Sequence, residues 1–312
     1  MRWGTARRVL RQPTGAVGVF ILVVILLVAF LGPLVSPHSP TETLGPPNSP
    51  PGAGFALGTD FLGRDVLSRL LNGGRSVILI GLSSTLVAYV IGVLAGMYAG
   101  YRSGVRDMLT MRTVDLLLAF PPLLVLLVLV AGGGAHIWVL IVGVIAVQAP
   151  AIARITRTAS LSVRQMPYVE AAQARGDGTA RIWRADIFPN ILPPLLADFG
   201  VRFSISIILI ASMNYLGLGL QPPTADWALM MSENRVGITL NPWGVLAPAI
   251  ALALLTVGVN LVGDAYLRAL TRSVLPRGTR RSRLRRRSNG TAAILATLPS
   301  SGDAASIDDE VR

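Results

Sequence analysis

Apolar residues in this chain come in long runs, separated by short polar stretches that carry most of the arginines. A helix that crosses a bilayer needs roughly 20 mostly apolar residues. Six runs reach that length, at about 15–36, 76–98, 113–132, 136–157, 195–217 and 244–267. The pattern predicts an all-α, multi-pass membrane protein of six spans. The first run is long and has no clear small-residue cleavage site, so it reads as an uncleaved anchor and not as a signal peptide. Pro121, Pro122 and Pro150 are expected to kink spans three and four.

Composition agrees with a membrane solvent. Of 312 residues, 52 % are hydrophobic and 14 % charged, and the mean hydropathy is +0.59. A soluble domain carries about a quarter charged residues. There is no cysteine, which removes disulfides, thiol nucleophiles and thiolate metal sites. His38 and His136 stand far apart without ligand spacing, so neither a metal site nor a catalytic set is expected. All 28 basic residues are arginine, giving a net charge of +12. They lie between and after the apolar runs, with none of the aromatic interleaving of a nucleic-acid surface.

Their distribution sets an orientation. Arg2, Arg7, Arg8 and Arg11 precede span one, and Arg102, Arg106 and Arg112 separate spans two and three. Arg154, Arg157, Arg164, Arg175, Arg181 and Arg184 lie between spans four and five, and ten more arginines follow from Arg268. The opposite side holds Arg64, Arg69, Arg75 and Arg235. The positive-inside rule puts both termini in the cytoplasm. The expected organisation is a cytoplasmic tail over 1–14, a membrane domain over 15–275 and a disordered, arginine-rich tail over 276–312.

Three loops stand out. Residues 37–75 begin as a proline-rich connector and end in TDFLGRDVLSRLLNGG, read as a short helix near the interface. Residues 218–243 contain QPPTADWALMMSENR, read as another short surface helix, with Trp138, Trp227 and Trp243 as interfacial anchors. The cytoplasmic loop 158–194 reads as a helix over 168–175, ended by Gly176 at positive φ. A turn at Asp177-Gly178-Thr179 and a second helix from 180 to 187 follow, with Pro189, Pro193 and Pro194 setting the start of span five. The product is a helix–turn–helix knob, or else an ordinary amphipathic connector.

This loop resembles the EAA loop of ABC importer permeases at Glu170, Ala171, Ala172, Gly176, Ile187, Phe188 and Pro189. LGTDFLGRDVLSRLLNGGR (57–75), with Gly58, Thr59, Asp60, Gly63, Arg64 and Asp65, is similar to an outer-loop signature of the second permease in dipeptide and oligopeptide importers. MRTVDLLLAFPPLL (111–124), YLGLGLQPPTADWALMM (215–231) and NLVGDAYLRAL (260–270) are similar too. The likeness covers about residues 10–272 and points to the peptide and nickel branch.

It implies the type I importer permease fold in a bacterial plasma membrane. It also implies a homologous partner permease, two cytosolic ATPase subunits and an extracytoplasmic substrate-binding protein. ATP and Mg would sit on the ATPases, with no cofactor on this chain. The EAA loop would be the coupling element, with Glu170 and Gly176 central, Ala171 and Ala172 packing, and Arg175, Arg181, Arg184 and Asp186 facing the ATPase. Asp186 stands where the family commonly has histidine, and Phe188 where it has leucine. Ile210, before Ala211 and Ser212, replaces a common glutamate, so that glutamate's pore role does not carry over.

Candidates for lining the pathway or packing helices are Asp115, Gln148, Asn214, Asn260 and Asp264, and Asp198 and Arg202 are spaced to pair. The chain has no Walker A sequence and no lysine, so ATP hydrolysis must occur elsewhere. An ion-driven secondary transporter would need inverted repeats and broken helices with ion ligands. An intramembrane enzyme would need a catalytic set at one depth. A membrane scaffold remains open on sequence grounds, though the EAA loop disfavours it.

Overall fold

The computed structural model describes residues 7, 9–52, 54–102 and 104–274. The expected tail over 276–312 lies outside them, as do residues 1–6. The chain divides into two units, 1–269 and 270–312, and the packing below is that of the first. The helices are α1 Pro13–Leu31, α2 Val66–Arg102, α3 Val105–Leu118, α4 Pro122–Gly133 and α5 Ile137–Arg164, then α6 Pro167–Ala174, α7 Thr179–Ile182, α8 Phe188–Tyr215, α9 Trp227–Asn234 and α10 Trp243–Val274. Among the described residues five helices are long and apolar enough to cross a membrane, or six if α3 and α4 count as one span. The protein is therefore an all-α polytopic membrane protein with five to six long apolar helices.

Proline decides where the third run breaks. Pro122 has no N–H and its ring displaces the carbonyl one turn back. α3 accordingly stops at Leu118, and α4 leaves at 83°. Pro150 does not stop its helix, because α5 runs through it. Pro193 and Pro194 likewise lie inside α8, where they were expected to set its start, and Pro189 occupies its first turn. A π-turn over Trp183–Ile187 joins α7 to α8, so the helical path runs from Thr179 to Tyr215.

The short helix expected before span two is the opening of α2 itself. Nothing in VLSRLLNGG breaks a helix, and Gly73 and Gly74, helical and buried, leave room for a large ring against the backbone. That ring is Trp227. It is fully buried instead of anchoring at the membrane surface, and its Nε1 donates to the Leu70 carbonyl at 2.8 Å. A Cβ on Gly74 would sit 2.5 Å from the Trp227 ring and 2.7 Å from the Ala29 methyl. Nor is α9 a surface helix, since Trp227, Ala228, Leu229, Met230 and Asn234 are all buried.

α2 and α5 form the most intimate pair. Ser84, Ala88, Gly92, Gly96 and Gly100 recur every fourth residue on one face of α2, all buried. Small residues at this spacing let membrane helices approach closely. A Cβ on Gly92 would meet the Ala149 carbonyl at 2.7 Å, and one on Gly100 the Ser160 Cβ at 2.8 Å. The opposite face of α2 is exposed and mostly apolar, with Leu79, Leu86, Val90 and Leu94, interrupted by Ser83.

Candidate functional site: a coupling hairpin and a buried ionic clasp

The segment between α5 and α8 forms a compact hairpin. α6 begins with Pro167 in its first turn and ends in a Schellman motif. The Gly176 N–H donates to the Gln173 carbonyl at 3.0 Å and the Asp177 N–H to the Ala172 carbonyl at 3.1 Å. Gly176 sits at φ +78°, a conformation open to glycine at no steric cost. Asp177 ties the turn down by accepting from Arg175 at 2.9 Å and Arg181 at 3.0 Å. Both arginines thus have a partner within the hairpin.

The hairpin has its own apolar core. Val169, Ala172, Ile182, Ile187, Ile191 and Leu195 bury against Met97 near the end of α2. Trp183 meets Tyr101 edge-on at 6.2 Å. What remains outside is Glu170, Ala171, Gly176, Arg184 and Pro189, with Asp186 half-buried. Ala171 and Ala172 therefore differ: Ala172 packs inside this chain and Ala171 is free at the surface.

At the other end of α8 lies a buried network that joins the 57–65 loop, the start of α2 and α9. Asp60 Oδ1 accepts from the backbone N–H groups of Leu62 at 2.8 Å and Arg64 at 2.9 Å. Its Oδ2 accepts from Arg64 Nε and from Arg69, each at 2.6 Å. Glu233 on α9 accepts from the same Arg69 nitrogen at 2.7 Å and from Arg64 at 3.3 Å. The Arg69 side chain is 0 % exposed and that of Arg64 3 %. Asp65 accepts from Ser68 Oγ at 2.6 Å and lies 3.2 Å from His38 Nδ1. Thr59 Oγ1 donates to the Pro46 carbonyl at 2.6 Å, and Gly58 and Gly63 hold positive φ of +74° and +77°.

Asp226 extends the network. Its Oδ1 caps α9 by accepting from the N–H groups of Ala228 and Leu229, and also accepts from Asn214 Nδ2 at 2.9 Å. Burial pushes its carboxyl up to about 6, against the pull of those hydrogen bonds and of the Arg69 charge. Asn234 accepts from the Phe61 N–H at 3.0 Å, and Asn241 donates to the carbonyls of Leu57 and Thr59. Sequence reading singled out Asp60, Arg64 and Asp65 but missed Arg69, Asp226 and Glu233 as their partners. The available signal was two acids flanking the apolar stretch WALMMS, on the same side of the chain as Arg64 and Arg69.

The remaining candidates scatter. Gln148 is buried and donates to the Arg202 carbonyl at 2.8 Å and to Ser206 Oγ at 3.2 Å, which makes it a helix-packing residue. Asn214 belongs to the clasp. Asp198 accepts from Arg202 at 3.0 Å and from the Tyr89 hydroxyl at 2.9 Å. Asp115 pairs with Arg154 at 2.5 Å on an exposed face. Asn260 is half-buried on α10 and Asp264 is exposed. Among the described residues, no three histidines or carboxylates converge on a metal-sized site.

Comparison with known proteins gives this arrangement a family. Residues 92–276 match the family described as binding-protein-dependent transport system inner membrane component, and residues 2–51 match the N-terminal TM domain of oligopeptide transport permease C. The di/tripeptide transport system permease protein DppC of Pseudomonas aeruginosa is 36 % identical over 81 % of this chain and 86 % of its own length. The glutathione transport system permease protein GsiD of Pectobacterium atrosepticum is 35 % identical over 85 % of this chain and 88 % of its own. Among solved structures, a chain of the MetNI methionine ABC transporter in an inward-facing conformation aligns with a TM-score of 0.53 at 19 % identity. That alignment covers 65 % of this chain and 96 % of the other, a likeness of fold. The chain belongs to the binding-protein-dependent transport inner-membrane family and is a permease subunit of an ABC-type importer, not its ATP-hydrolysing component.

Proposed function

We propose that this chain is a six-span, type I permease that forms half of the pathway of a peptide importer, in which the α3–α4 pair is a single broken span. It works beside a homologous permease and carries peptides, or small solutes like them, delivered by an extracytoplasmic binding protein. Both termini face the cytoplasm, as the arginine distribution favours. The peptide assignment draws on relatives named for di- and tripeptides, dipeptides and glutathione.

The observation that carries the coupling role is the hairpin. It is rigid on its own core, continuous through the π-turn with α8, and presents Glu170, Ala171 and Gly176 outward. A motion imposed on such a knob by closing ATPases passes into a membrane helix without being absorbed by a loose joint. Gentle detergent extraction and identification of the bound chains tests the assembly. The expected set is two ATPase subunits, a second permease and, with solute, a binding protein. A stable lone chain that supports ion-driven uptake without an ATPase would refute it.

A further inference from the structure

Three apolar grooves of similar size mark the surface of the helices, and one of them ends on a charge. It lies between α2 and α8 and encloses about 710 Å³. Leu86, Val90 and Leu94 line it from α2, and Leu192, Leu196 and Phe199 from α8. At its hairpin end stand Trp183 and Arg184, on the π-turn. The other two grooves, of about 650 and 640 Å³, have no charged residue in their walls.

The first groove has the length of one leaflet. Leu86 stands at the middle of the apolar run 76–98, and Met97, also in the wall, at its hairpin-side end. The step from 86 to 97 covers about 16 Å of helix. That is half of a hydrocarbon core of about 30 Å. Arg184 lies outside the apolar run at 195–217, so the groove begins at the bilayer centre and ends at headgroup level.

The charge at that end is unspent. Arg175 and Arg181 share Asp177, while Arg154 and Arg157 hold Asp115 and Asp107. Arg184 is exposed and forms no ion pair among the described residues, and no carboxylate lines the groove. The Tyr89 hydroxyl, deeper in the wall, is taken up by Asp198 at 2.9 Å. Arg164 adds positive charge beyond Trp183, because it lies 5.8 Å over the Tyr101 ring that Trp183 meets edge-on. An apolar trough that ends on free arginine complements an acyl chain that ends in an anionic headgroup.

We infer that this groove binds a phospholipid with an anionic headgroup, drawn from the leaflet on the hairpin side. One acyl chain lies along Leu86, Val90 and Leu94 and against Leu192 and Leu196. The headgroup phosphate takes Arg184, with Arg164 behind it. The bound lipid fills the gap between α2 and α8 beside the hairpin. The inference needs the chain to span a membrane and stands apart from the peptide reading.

The chain lacks cysteine, so a bimane label on Leu94→Cys reports from inside the groove. The assembled transporter, its other subunits freed of cysteine, is placed in phosphatidylcholine nanodiscs. Phosphatidylglycerol or phosphatidylcholine with brominated acyl chains, which quench the label on contact, is then titrated in. Half-quenching should need about fivefold less of the anionic lipid, the scale of one arginine at a membrane surface. Arg184→Gln should abolish that preference, and Arg184→Lys, which keeps the charge, should keep it. No quenching by either lipid would mean that protein fills the groove. Equal quenching by both would mean ordinary boundary lipid. A preference that survives Arg184→Gln would mean general attraction to a basic surface. Any of the three overturns the inference.

Discussion

Replacing Arg69 with methionine is expected to lower the thermal midpoint of the detergent-solubilised protein by on the order of 10 °C. The reason is the accounting of buried charge around it. Arg69 and Arg64 together face Asp60 and Glu233, with side-chain exposures of 0 %, 3 %, 0 % and 7 %. Removing one partner of a buried ion pair leaves an uncompensated charge at a cost of about 3–5 kcal/mol. At roughly 2–4 °C per kcal/mol for a chain of this size, the shift follows. Methionine fills much of the same volume, so the loss comes from charge and not from a cavity. Adding Asp60→Asn to Arg69→Met should recover part of the loss, because the remaining Arg64 then faces one carboxylate. Heating with size-exclusion readout measures both. An unchanged midpoint in Arg69→Met would show that the clasp contributes nothing to holding the 57–65 loop and α9 together.

Replacing Gly176 with valine should cut solute uptake tenfold or more while the chain still inserts and the ATPases still hydrolyse ATP. An L-residue in the left-handed region costs roughly 1–2 kcal/mol, and branching at Cβ adds to it. A Cβ at Gly176 meets nothing within 4 Å, so the penalty is in the backbone of the turn and not in a collision. The turn relieves it by opening the Schellman bonds, which reorients α6 on α7 at the surface offered to the ATPase. Gly176→Asn, which tolerates this conformation, should keep most of the uptake. Parallel assays of uptake and hydrolysis separate the cases, and full uptake in the valine variant would remove Gly176 from the coupling role.

Much of this was legible in the chain because bilayers impose length. The apolar runs marked every long helix, and the glycine at 176 marked the end of α6. Pairing of Asp198 with Arg202 followed from a spacing of four. What stayed hidden depended on contacts distant in sequence. Trp227 looked like an interfacial anchor because tryptophan favours that zone. The slot that swallows it is cut by Gly73 and Gly74, some 150 residues earlier. The stripe Ser84, Ala88, Gly92, Gly96, Gly100 carried the α2–α5 contact in plain sight, yet its partner helix is unmarked in sequence. Prolines were legible in part. The kink expected in span three falls at Pro122, where α3 and α4 meet at 83°, whereas Pro193 and Pro194, expected to set the start of span five, lie inside α8.

The clasp and the hairpin sit at opposite ends of α8, so under the proposed function that helix would carry motion from the hairpin toward the clasp. Whether the knob meets an ATPase is the central claim. Cross-linking from a single cysteine at Ala171, exposed on α6, tests it most directly, with Val236→Cys at the far end as control; Val236 is 87 % exposed. A short thiol-to-amine cross-linker in the assembled membrane complex should join Ala171→Cys to a cytosolic ATPase subunit, with a yield that changes on nucleotide trapping, and should not join Val236→Cys to it. An ATPase adduct from Val236→Cys, or none from Ala171→Cys while the complex remains intact and active, would contradict the account.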